Sequence, residues 1–133
     1  MTALGGLRAI VASLLAWVAA AAAFVAANWS GGELAARLGL PPGGDARLGW
    51  DASWTIAAAA LALWIVARWT PAARVQAMLA WGSLAALTLW AVATLGSEYP
   101  SWFDAALLLA LPLLGVLAWR WADASRRIQK RRA

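Results

Sequence analysis

Four stretches of this chain, 9–27, 54–67, 75–95 and 105–119, contain no charged residue, and every Lys, Arg, Asp and Glu lies between or beyond them. A helix needs about 20 mostly apolar residues to cross a hydrocarbon core about 30 Å thick, so four such stretches in succession point to repeated passage through a bilayer. Composition agrees: 64% of the residues are hydrophobic and 13% charged, against roughly 45–50% and about 25% in soluble globular domains. The expected fold is all-α, a single integral membrane domain over residues 1–133. It is an antiparallel, up-and-down bundle of four transmembrane helices at about 9–28, 51–69, 75–95 and 102–121, with a basic cytoplasmic tail at 122–133.

The first span places Ala9, Ala12, Ala16, Ala19, Ala23 and Ala27 on one helical face and Ile10, Leu14, Trp17 and Phe24 on another. A smooth face lets a neighbouring backbone approach closely, which is what drives helix association in lipid, so the alanine face is expected to point inward. Arg8 ahead of the apolar run and Val25-Ala26-Ala27 behind it also resemble a cleavable signal peptide. The run is longer than the 7–15 residues of a typical signal core, which favours an uncleaved span.

Residues 30–50 are polar and glycine-rich, and Pro41-Pro42-Gly43-Gly44 breaks regular structure there, so this reads as the longest loop. Glu33 to Leu38 has the spacing of a short interfacial helix. The second span has a short uncharged centre, so Asp51 and Arg68 have to reach opposite interfaces. In the fourth, Pro112 leaves the Leu108 carbonyl without its usual helical partner and predicts a kink. Beyond it, Asp123 and Arg127 are spaced for an i,i+4 pair.

Charge sets the expected orientation. Arg8, Arg68, Arg74, Arg120, Arg126, Arg127, Lys130, Arg131 and Arg132 fall on one side of the four spans, with Arg37 and Arg47 alone on the other. The positive-inside rule then makes both termini cytoplasmic. Arginine supplies all but one of the basic residues, and alanine and glycine are abundant, as in proteins of GC-rich bacteria. The expected location is a bacterial inner membrane. Trp29, Trp50, Trp54 and Trp102 at the outer ends, and Trp69, Trp119 and Trp121 at the inner ends, fit interfacial belts. Trp17, Trp64, Trp81 and Trp90 lie deeper, where packing against small faces is their expected use.

The most charged segment holds Arg126, Arg127, Lys130, Arg131 and Arg132. Beside a span, such residues are expected to anchor the chain at anionic lipid headgroups. No aromatic side chain alternates with them to stack on bases, so nucleic acid is not an expected partner. Asp51, Glu98 and Asp104, with Tyr99 nearby, are the outer candidates for binding a cation, although carboxylates at an interface are normally just solvated.

Chemistry-bearing groups are scarce. Histidine and cysteine are both missing, and the polar side chains inside the four uncharged stretches are Ser13, Thr55, Gln76, Ser83, Thr88 and Thr94, none ionisable. An acid, histidine or lysine at membrane depth, the usual mark of a proton-coupled carrier, is lacking. No phosphate-binding glycine loop, nucleophile elbow or metal-ligand spacing occurs. Neither an enzyme nor a cofactor is expected. Gly82 and Ala86 form a small-xxx-small pair suited to a helix contact within the monomer or between copies. These features favour a non-enzymatic accessory or assembly subunit that offers helix faces to a membrane partner. The alternative is a small transporter or pore formed by self-association.

Overall fold

The computed structural model describes the backbone of residues 3–132 and the side chains of Leu4 to Ile128. Four long helices follow one another: α1 (Ala3–Arg37), α2 (Asp45–Trp69), α3 (Ala73–Leu95) and α4 (Ser101–Arg132), with one 3₁₀ turn at Gly96–Glu98. No strand occurs among the described residues. All four helices are long and apolar enough to cross a membrane.

The expected loop at 30–50 shrinks to a turn at 38–44. Gly31 and Gly32 do not break α1, and the residues read as a short interfacial helix are its final turns. What ends α1 is Gly39, at a φ of 72° that side chains disfavour. The Leu40 amide donates to the Ala35 carbonyl and the Gly39 amide to that of Ala36, the two bonds of a Schellman cap. Pro42 and Gly43, the latter at φ 79°, follow as the centre of a tight turn closed by the Gly44 amide on the Pro41 carbonyl. Proline followed by a positive-φ glycine is the type II pattern.

Helix α2 therefore starts at Asp45, and its 25 residues extend about 37 Å at about 1.5 Å per residue. The helix thus begins before the span expected from Asp51. The added first turns carry an ion pair, Arg47 Nε to Asp51 Oδ2 at 3.1 Å. Helix α4 continues through Pro112 without interruption.

α2 is the most buried helix and touches each of the others. α4 packs against both α2 and α3, whereas α1 packs mainly against α2. The core is largely alanine: Ala16, Ala20, Ala59, Ala62, Ala77, Ala80, Ala118 and Ala122 are all buried, and the largest fully enclosed side chains are Leu63, Val66 and Thr70. On α1, the inward alanine face is observed at Ala16 and Ala20, with Ala19 and Ala23 packed beside the core, while Ile10 and Leu14 face out. Trp17 and Phe24 also lie against the core and do not join the outward face.

The tryptophans divide in a way spacing alone does not reveal. The Trp54 ring covers Gly31, where a Cβ would fall 2.6 Å from Trp54 Cγ, and the Trp50 indole donates to the Gly31 carbonyl at 2.8 Å. Trp81 of α3 sits over Gly115 of α4 and donates to the Leu111 carbonyl at 2.8 Å. Trp64 and Trp90, expected to pack inward, are 41% and 64% exposed and face outward.

Gly31→Ala should lower the melting temperature in mild detergent, because the clash falls on the root of the Trp54 side chain. Overpacking of this kind costs about 1–3 kcal/mol. Gly82→Ala, where a Cβ meets nothing within 4 Å, should leave melting unchanged or slightly raised. Equal behaviour of the two variants would refute close packing at Gly31.

Candidate functional site: a lateral cleft and a basic pocket

Because α1 and α3 both pack on α2 without packing extensively on each other, a cleft of about 470 Å³ opens between them. Trp17, Ala21, Phe24 and Val25 of α1 form one wall, and Ala80, Leu84, Leu87 and Ala91 of α3 the other. Ala62, Leu63 and Val66 of α2 make the floor.

Two polar contacts bound the cleft. At one end the Trp17 indole donates to Gln76 Oε1 at 2.7 Å, joining α1 to α3. At the other, the Thr55 hydroxyl donates to Asn28 Oδ1 at 2.9 Å, while the Asn28 amide donates to the Phe24 carbonyl. The Ser83 and Thr88 hydroxyls donate to the Leu79 and Leu84 carbonyls one turn back. No buried side-chain nitrogen or oxygen among the described residues lacks a partner. A site without a free donor or a charge selects for apolar shape, so the cleft suits a hydrocarbon surface.

The second feature lies where α3 begins and α4 passes its expected span. Arg74, Asp123, Arg126 and Arg127 surround a pocket of about 300 Å³. Asp123 pairs with Arg74 across the two helices, and this replaces the expected pairing with Arg127 on its own helix. The Arg74 guanidinium also lies over the Trp119 ring, 4.5 Å from its centroid. Arg126 and Arg127 are exposed and make no ion pair among the described residues. The side chains of Lys130, Arg131 and Arg132 lie outside the described residues.

The hydrogen bond from Arg74 holds the Asp123 carboxyl below its ordinary value of 3.8. Burial opposes that shift, and the charges of Arg74, Arg126 and Arg127 add to it. Both residues lie beyond the spans expected at 75–95 and 102–121. A depressed carboxyl stabilises the fold at pH above its unfolded value, and that contribution disappears as pH falls through the folded one.

The acids expected on the outer side, Asp51, Glu98 and Asp104, are not gathered into one site. Asp51 is taken by Arg47, Asp104 lies beside Gly96, and Glu98 is exposed in the 3₁₀ turn. Among the described residues no three of Asp, Glu, His and Cys are placed to hold a metal.

No known family profile, characterised protein or solved structure matches this chain.

Of the polar residues noted within the spans, Thr55, Gln76, Ser83 and Thr88 all come to the cleft or its ends. Asn28 and Arg74 were not singled out as partners, since their contacts are to residues 27 and 49 positions away. The carboxyl-carbon signal of Asp123, followed by NMR during acid titration, should have a midpoint below 3.8, and Arg74→Gln should raise it. An unmoved midpoint would mean the cross-helix bond does not control this group.

Proposed function

We propose that this chain is a small multi-pass protein of a bacterial inner membrane, an antiparallel bundle with both termini in the cytoplasm. It acts as a non-enzymatic accessory or assembly subunit, and its α1–α3 cleft receives an apolar transmembrane segment of a partner. The observation that carries the reading is the cleft itself: about 470 Å³ left open by the chain's own side chains, bordered by Ala21, Ala80 and Ala91 and free of ionisable groups. Small walls allow the backbone of an incoming helix to come close, which is the main source of helix affinity in lipid. The uneven distribution of arginine supports the orientation, and the exposed apolar surfaces of α1, α3 and α4 support the membrane placement.

The natural lack of cysteine makes orientation directly testable. Pro42→Cys, exposed in the α1–α2 turn, should react with a membrane-impermeant maleimide on intact spheroplasts, whereas Ala124→Cys should react only after permeabilisation. Labelling in the opposite order would reverse the topology.

Partner docking has its own test. A photo-crosslinking residue at Leu87, in the cleft, should give a discrete protein adduct in native membranes that Ala91→Trp abolishes. The same group at Leu113, exposed on α4, should not give that adduct. Indistinguishable adducts from the two positions would remove the cleft from consideration.

A further inference from the structure

We propose that the pocket formed by Arg74, Asp123, Arg126 and Arg127 is a binding site for the phosphate headgroup of an anionic membrane lipid. It goes beyond the general attraction of a basic tail to a charged surface, because it names a place and an arrangement. Three guanidiniums and one carboxylate surround about 300 Å³. Asp123 engages Arg74, so one of the three guanidiniums is held in position and two are left to an incoming anion.

Three further observations favour phosphate on a lipid. The Trp119 ring lies beneath Arg74, and an indole beside a guanidinium is a pairing suited to headgroup depth. α3 starts here without a side-chain cap, since Ala72 offers no oxygen, and its first turn has no acid. The positive end of the helix dipole therefore adds to the field of the arginines. Finally, Arg guanidiniums match phosphate oxygens through paired N–H groups, a geometry that carboxylate-poor basic pockets between transmembrane helices use for lipid headgroups.

The inference requires only that this end of the bundle meets a membrane surface, and it is independent of any partner in the cleft. Maleimide labelling tests the placement, and lipid retention tests the site, so the two can fail separately.

The full chain in a neutral maltoside detergent would be offered equal amounts of dioleoyl phosphatidylglycerol and dioleoyl phosphatidylcholine, with retained lipid read by native mass spectrometry. Retention of the anionic lipid should exceed that of the zwitterionic one by roughly fivefold or more. Arg126→Gln with Arg127→Gln should bring the ratio close to one, and Arg74→Gln should lower it. Lys130→Gln with Arg131→Gln and Arg132→Gln removes more charge, yet should keep most of the preference. Thermal melts of the Arg126/Arg127 variant should match the parent, since both side chains are exposed.

If the three-residue tail variant loses as much preference as the Arg126/Arg127 variant, charge alone is responsible and the site is overturned. Retention unaffected by Arg126→Gln with Arg127→Gln overturns it as well. Inorganic phosphate in the same assay separates the two sources of the ligand. Phosphate that binds without lipid and displaces phosphatidylglycerol would assign the pocket to a soluble anion and overturn the lipid.

Discussion

The helices of this protein are joined through side chains too small to hold them by bulk. Alanine dominates the core, and at Gly31 and Gly115 the absence of a side chain lets an indole of a neighbouring helix lie directly against the backbone. Each burial contributes little apolar area, so cohesion depends on backbones and indole rings coming within contact distance along whole helix lengths. The large side chains, including Leu7, Ile10, Leu14, Leu89, Leu109 and Leu113, are turned outward instead. That inversion of the soluble pattern is what a hydrocarbon surround tolerates and water does not.

Polar contacts then decide which faces meet. Trp50 on Gly31, Thr55 on Asn28, Trp81 on Leu111 and Arg74 on Asp123 each join two helices. In a set of nearly uniform alanine faces these bonds distinguish one register from its neighbours, because a shift of one turn would leave the indole and amide groups without acceptors. Among the described residues the α1–α3 side has one such link at its end, Trp17 to Gln76, and it is the side that stays open.

Helix number and the inward alanine face of α1 were legible because both follow from local periodicity. Helix ends were less so. Gly31 and Gly39 look alike in sequence, yet the first serves close packing and the second a left-handed cap, and only the position of Trp54 on another helix distinguishes them. The same limit explains the tryptophans: whether Trp81 or Trp90 lies inward depends on where Gly115 arrives from α4. The cleft could not be read at all, since it results from α1 and α3 packing on α2 without packing extensively on each other. Part of the basic pocket was visible as a run of arginines, but Arg74 enters it from a helix that begins 50 residues earlier than Asp123 would suggest by neighbourhood alone.

The Arg74–Asp123 bond also has a temporal meaning. α1 and α2 complete their mutual contacts with residues up to Trp69, so that hairpin is available as soon as its own chain has been synthesised. Arg74, by contrast, waits for Asp123, 49 residues further along the chain. The guanidinium–carboxylate latch can close only after α4 has been made beyond its proline, so the α3–α4 hairpin is clasped later than the α1–α2 one.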